Sequence, residues 1–402
     1  MRKSILPLIL LSAVVLTAAA PESRTGSPWR YFSPAHEQSE REIEAALLSL
    51  PSTASLGAFH ELVSSRPHVA GSAGDARVIE SLVDAYKRLG LKVETQDLWL
   101  YLSRPVAARL ALVAPEHQEL PLKEKALPQD PYSRDPDLTI GWNAYSGNGD
   151  VEASVVYANY ARLEDFKELA KLGVSVRGKL VLARYGGNFR GYKAKFAERA
   201  GAAGLIIYSD PKDSGYGRGL MYPEGGWADA SYIQRGSILT LPYQGDPLTP
   251  FIAATRDAKR LDPSQVDLPR IPVQPIGWGA AEKILAPMGG APVPDEWQGA
   301  LPFNYHLGGT GSVRVRLMVE QKRELMHTAN VVATLEGDRF PEQKVIIGSH
   351  DDAWSFGAGD PNSGTIVVYE AAKSFAALAR RGLRPARSIV FANWTAEEFG
   401  LE

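Results

Sequence analysis

Cysteine is absent from the 402 residues. That excludes disulfides, thiolate metal ligands and a lipidated cysteine anchor, so any metal must be held by histidine, aspartate or glutamate. An excess of one charge is lacking as well: 44 lysines and arginines face 46 aspartates and glutamates. The chain therefore has no electrostatic footprint for nucleic acid. Long charge runs, low-complexity tracts and fixed-period repeats are missing too. The apolar run ILPLILLSAVVLTAAA at residues 5–20 has 16 residues, where a bilayer-spanning helix needs about 20. It follows Arg2 and Lys3 and ends in small residues before Pro21. This is the pattern of a secretory signal peptide over residues 1–20, and the mature chain is expected to be exported, periplasmic or secreted. An uncleaved membrane anchor is the alternative.

What is present suffices for two or three domains. SPAHEQSEREIEAALLSL and STASLGAFHELVSS show helical spacing, separated by Pro51. DARVIESLVDAYKRLG is a helix with Gly90 in the stop position, and KVETQDLWLYL alternates as a strand. Residues 21–104 thus read as α/β. Residues 105–323 are richer in proline and glycine, with short strands (ARLALVA, ASVVYAN, KLVLARY, GLIIYSD) and one helical stretch, KAKFAERAGAA. They read as a mostly β domain inserted into the first, with GYGRGLMYPEGGW and YQGDPLTP as a lid or pocket wall. Residues 324–402 return to α/β, with the strands ANVVATLEG, KVIIGSH and RSIVFANW and the helix TIVVYEAAKSFAALARRG. The runs VVATL, VII and SIVFANW lack polar alternation, as parallel strands buried on both faces do. KVIIGSH, the helix and RSIVFANW form a βαβ unit.

Ligands in open α/β sheets gather outside the carboxyl ends of the strands. His350 ends KVIIGSH, Glu397 and Glu398 follow RSIVFANW, and Asp360 lies on the loop between them. Imidazole with carboxylates suits zinc. Asp352 is placed to accept from the second ring nitrogen of His350 and fix its tautomer. Pro361 biases Asp360 to an extended backbone, and a carboxylate's two oxygens can bridge two metals. One glutamate of the pair is suited to bind metal and the other to take a proton. Taken singly, each has a plainer reading: a structural histidine, a helix start at Asp360 or Asn362, a solvated turn at Glu397–Glu398. For Asn362 and Ser363 the helix-start reading is preferred, and Asp351 reads as polar loop. Convergence on one sheet edge is what favours a metal site.

At these residues the sequence resembles the zinc peptidases related to glutamate carboxypeptidase II and the transferrin receptor. GSHDDAWSFGAGDPNSG is similar to that family's metal motif and WTAEEFG to its glutamate pair, with Asp360 ten residues after His350 and Glu397 37 after Asp360. RPHVAGS, ARYGGNFRG, YSDP and GDPLTP extend the likeness over most of the mature chain. The resemblance implies an α/β peptidase domain with a mixed, largely parallel sheet (phosphorylase/hydrolase-like), interrupted by a β-rich protease-associated (PA) domain. It implies two zinc ions: His350 on one, Asp360 bridging, Glu398 on the other, with Glu397 as general base and Asp352 orienting His350. Arg190 matches an arginine that reaches a substrate carboxylate; its plain alternative is a solvated arginine at a helix start. The implied partner is a peptide, with an acidic C-terminal residue in the carboxypeptidases. Thr255 stands at the position of a substrate-binding asparagine, which speaks against a C-terminal glutamate.

In the family another acidic ligand, another histidine, further arginines and a helical dimerisation domain follow the point matching Glu402. The expectation is a chain truncated within the peptidase domain, weak in zinc and inactive by itself, with an aggregation-prone sheet flank. A homodimer is expected only with the missing domain. The rivals are an aminopeptidase or dipeptidase of the same metal class and a receptor-like binding module.

Overall fold

The computed structural model describes residues 33–401; the expected signal peptide, residues 1–20, lies outside the described residues. The chain divides into two compact units, residues 1–50 and 51–402. In the first, α1 spans Pro34–Leu48, with proline in the first turn, where its fixed φ suits a helix start.

The second unit opens with α2 (Thr53–Val63), α3 (Ala73–Arg88), β1 (Lys92–Ala114) and β2 (Gln118–Glu119). Next come β3 (Asn143–Ala144), β4 (Gly149–Tyr157), α4 (Leu163–Lys171), β5 (Leu180–Arg184), α5 (Arg190–Arg199) and β6 (Gly204–Tyr208). β7 (Gly236–Ser237), β8 (Val273–Ile276), α6 (Trp278–Leu285) and β9 (Arg314–Leu335) follow. β10 (Phe340–His350), α7 (Asn362–Arg380), β11 (Arg387–Trp394) and α8 (Glu397–Gly400) complete it.

One mixed sheet runs in the order β10-β11-β9-β4-β5-β6-β8, with β1 and β2 off this path. Its spine is the antiparallel pair β1–β9, in register from Lys92↔Thr334 to Ala114↔Arg314. This pair runs unbroken through residues 104/105 and 323/324, where the composition changes. Proline has no N–H for a ladder, and the register shifts between Pro105 and Ala107. Beyond it β4, β5, β6 and β8 are parallel neighbours. β5, β6 and β8 are buried at every residue, including Arg184 and Gln274, so none of the three shows a solvent-facing polar alternation.

At the other end β10 and β11 are parallel and joined by α7, as the βαβ reading requires. Two expectations fail there. VVATL, the end of β9, runs antiparallel to β11; an apolar run records burial, not direction. Among the described residues β10 is the edge strand and pairs with β11 alone, so Val345 and Ile346 stand 49% and 60% exposed rather than buried on both faces. Phe59, Leu82, Tyr86, Val331, Ala372 and Phe391 form the core between α2, α3, α7 and the sheet. A separate apolar cluster with Trp142, Tyr145, Leu100 and Phe399 lies beneath α8.

Candidate metal centre

His350 and Trp394 are opposite each other as the last residues of two parallel strands. The segments that follow them therefore leave the sheet at the same rim. The longer one, residues 351–361, is clipped along its length. Asp351 N–H donates to Trp394 O at 2.8 Å, Ala353 N–H to His68 O at 3.1 Å, and His68 N–H to Ser355 O at 3.0 Å. Asn362 Nδ2 donates to Ser64 Oγ and Phe356 O. The helix does start at Asn362, as the helix-start reading has it, but the side chain is not its cap: Pro361 holds the cap position, and the amide pins the loop to the end of α2. Ser363, one residue further in, donates its hydroxyl to Gly359 O. The Asp360–Pro361 bond is cis.

On this frame His350 Nε2 lies 2.9 Å from Asp360 Oδ1, and Nδ1 faces Asp352 Oδ1 at 3.4 Å. Asp352 is fully buried, whereas Asp360 is 80% exposed on its side chain. Nε2 and Asp360 thus point at one place on the open face. Glu397 Oε2 is 3.8 Å from His350 Nδ1, and Glu398 Oε2 accepts from Trp354 Nε1 at 2.7 Å. Burial alone would lower the imidazole, but Asp352, Glu397 and Asp360 outweigh it and hold His350 up at about 9. Burial raises both glutamates, and for Glu398 the neighbouring Asp352 and Asp360 add to it and carry it to about 7.

These donors suit zinc in kind: one imidazole nitrogen on the open side, facing the Asp360 carboxylate, with the glutamates beside it. Among the described residues, no three His, Asp or Glu groups are arranged closely enough to hold a metal ion. His350 and Asp360 supply a pair, and Glu398 is turned to its indole partner.

Arg190, the first residue of α5, reaches the same region. With Glu397 and Glu398 it lines a cleft of about 370 Å³, walled also by Leu239, Tyr243 and Leu401. Gln244 and Gly245 of the loop-rich stretch complete a pocket wall, as read from sequence. Arg190 donates to Ser237 O at 3.3 Å, and a Cβ on Gly236 (φ +150) would collide with its guanidinium. Thr255 is exposed, and its carbonyl accepts from Arg260.

Three buried polar residues beside the site differ from what the sequence suggests or carry no signal in it. Asp351 is wholly buried and, among the described residues, neither carboxylate oxygen has a hydrogen-bond partner, so it is not a polar loop residue. Burial, then Asp75 and Asp352, push it well above the usual carboxylate range. Asp75 is equally buried, and Thr328 Oγ1 and Gly71 N–H donate to its Oδ2. His68, inside the RPHVAGS stretch, is fully buried, and among the described residues its Nε2 has no hydrogen-bond partner.

Residues 330–402 match peptidase family M28 and residues 151–241 match the PA domain. Aminopeptidase NAALADL1 of Rattus norvegicus is 36% identical over 363 residues, which is 84% of this chain and 48% of the relative. A glutamate carboxypeptidase 2 homolog of Caenorhabditis elegans is 33% identical over 371 residues (87% and 48%). Probable glutamate carboxypeptidase LAMP1 of Arabidopsis thaliana is 36% identical over 363 residues (88% and 51%). The chain thus spans about half the length of the curated relatives it matches. Among solved structures, a peptidase M28 precursor from Shewanella amazonensis superposes with a TM-score of 0.55 at 19% identity, covering 90% of this chain and 69% of that one. That likeness speaks for the fold.

Proposed function

Over residues 330–402 the chain belongs to peptidase family M28, with a PA domain at residues 151–241, and on that premise we propose a zinc-dependent exopeptidase of the glutamate carboxypeptidase type. One observation carries the reading: His350 Nε2 and Asp360 Oδ1 meet at 2.9 Å at the rim where Glu397 follows β11, 3.8 Å from His350 Nδ1, and the two glutamates line a cleft with Arg190. In this reading His350, Asp360 and Glu398 would hold the zinc, with Asp360 shared between a His350 site and a Glu398 site. Zinc, when bound, supplies Lewis acidity that polarises a peptide carbonyl and makes water acidic. Asp352 holds His350 Nδ1, so that Nε2 is the nitrogen turned to Asp360. Glu397, raised by burial, takes the proton of the attacking water and returns it to the leaving amine. Arg190 holds a carboxylate of the peptide in the cleft.

Counted on these residues, each ion has two protein ligands, fewer than the three usual at catalytic zinc. The 402 residues by themselves therefore bind zinc weakly and hydrolyse nothing. Two tightly held zinc ions per chain by elemental analysis, together with peptidase activity of this chain, would overturn that. The relative named as an aminopeptidase supports a second reading, cleavage from the amino end. N-blocked and C-blocked peptides offered to the gene's full-length product separate the two: a carboxypeptidase cuts only the first, an aminopeptidase only the second. A binding module cuts neither, which would end the proposal. Export through residues 1–20 belongs to the same reading; an intact Met1 on protein recovered from an expressing cell's periplasm or medium would contradict it.

A further inference from the structure

The loop that delivers Arg190 to the cleft is held by a buried cation that the proposed chemistry does not use. Lys193 is one helical turn beyond Arg190 on α5 and wholly buried. Its Nζ donates to Tyr160 O at 2.6 Å, Gly186 O at 2.6 Å and Asn188 Oδ1 at 2.7 Å. An ammonium has three donors, and all three are used. Two of the acceptors are in the segment between β5 and α5, and the third is in the segment after β4. None is a carboxylate, so Lys193 is not there for an ion pair. Burial pushes its pKa down to about 7, a cost that an apolar side chain of like volume would avoid.

What the ammonium gains is a fixed loop. Gly186 and Gly187 have φ of +92 and +74, a conformation glycine adopts freely and leaves freely. The Tyr160 ring lies 2.7 Å from where a Cβ on Gly187 would stand, so the loop is laid against that ring. The Arg184 guanidinium sits 4.2 Å from the centre of the same ring, and Tyr160 OH donates to Asp213. Tyr160 is therefore a firm base, and Lys193 is the tie between it and the loop.

We propose that Lys193 is a positioning residue, locking Gly186–Asn188 onto Tyr160 so that Arg190 leaves the start of α5 directed into the cleft beside Glu397 and Glu398. The proposal rests on the reading of Arg190 as the contact for a substrate carboxylate. Its test uses the gene's full-length product with Lys193→Met, Lys193→Arg, Asn188→Ala and Arg190→Met. Amide hydrogen exchange over residues 185–190 and the rate of phenylglyoxal modification of Arg190 report the loop directly. KM and kcat for an N-blocked peptide, and for its C-terminal amide, report the site.

Lys193→Met is expected to speed exchange over 186–190 and to change the Arg190 labelling rate. It should raise KM for the free-acid peptide by about tenfold, the factor one lost charge-assisted contact carries. kcat should stay within about twofold and the amide substrate should be little affected, because only carboxylate binding is disturbed. Lys193→Arg should restore most of the loss. If Lys193→Met does not fold, Asn188→Ala, which removes one acceptor at a half-buried position, must move exchange, labelling and KM in the same direction. Unchanged exchange and labelling overturn the proposal. So does an unchanged KM where Arg190→Met raises it. If Arg190→Met itself leaves KM unaltered, the reading of the cleft fails, and the delivery of Arg190 to a substrate fails with it. The tie from Lys193 to the loop is then decided by exchange alone.

Discussion

The carboxylate of Asp352 accepts the backbone N–H of Glu397 at 3.0 Å and faces the ring of His350 at 3.4 Å. A second oxygen receives the N–H of Glu398 at 3.4 Å. One buried side chain thereby sets the distance between the histidine at the end of β10 and the glutamates after β11. Replacing it with asparagine keeps the volume but puts N–H groups against N–H groups. Asp352→Asn is expected to lower the zinc affinity of the full-length product by about 10–100-fold, as loss of a ligand's hydrogen-bond partner does. Competition with a chromophoric chelator measures it; an affinity equal to wild type would show that Asp352 does not orient the site.

Asp75 makes stability depend on pH. Burial raises its carboxyl from 3.8 to about 7, against the pull of the Thr328 hydroxyl and the Gly71 N–H, with Asp352 pushing the same way as burial. The folded state therefore holds this proton where the unfolded chain has released it. Its contribution to stability is fully present below about pH 4 and is lost as pH rises towards about 7. Asp75→Asn should flatten this slope, the difference from wild type growing by about 1–3 kcal/mol across the window. Urea midpoints at four pH values test this; parallel curves for the two proteins would contradict it.

Zinc must displace a proton from His350. The imidazole is held at about 9 in the metal-free chain by its carboxylate neighbours, and only its neutral form ligates. Weak zinc binding by the 402 residues should therefore strengthen with pH between about 6.5 and 9, by at most about tenfold per unit from this group. Proton release, read by calorimetry in buffers of different ionisation enthalpy, should vanish in His350→Gln. Equal release in that variant would assign the proton elsewhere.

Gly236 is the floor under Arg190. A methyl group there meets the guanidinium, and φ of +150 adds backbone strain for any residue with a Cβ. Gly236→Ala is expected to cost about 1–3 kcal/mol of stability and to raise KM for free-acid peptides as Arg190→Met does. A KM unaffected by Gly236→Ala would separate the arginine's position from substrate binding.

The edge strand is the liability of the 402-residue chain. Val345 and Ile346 are exposed on β10, whose outer ladder groups have no neighbouring strand among the described residues. Ile346→Lys should lower the aggregation rate, followed by light scattering, with a change in stability within about 0.5 kcal/mol, as for other exposed positions. Aggregation unchanged by the lysine would place the sticky surface elsewhere.

The βαβ unit and its rim could be read directly because they are local in the chain. An apolar run ending in His350, a loop holding Asp360 and a second run ending before Glu397 need only the rule that parallel strands expose their carboxyl ends together. Asp351 shows where such reading stops. In a glycine-rich loop an aspartate looks solvated, yet the structure buries it completely, close enough to Asp75 of α3 for that carboxyl to add to the effect of burial and raise it. Nothing within 20 residues of it announces that burial.

By itself, then, the sequence determined the kind of site. It excluded thiolates, placed one histidine and three carboxylates at two neighbouring strand ends, and carried the α/β alternation that brings those ends together. Only the tertiary structure decided which groups meet. The antiparallel course of β9, the turn of Glu398 towards Trp354, the tie of Asp352 to α8 and the hold of Lys193 on the Arg190 loop all join residues from separate segments or faces. Periodicity and spacing record how a segment buries itself, whereas such contacts depend on which other segment arrives to cover it.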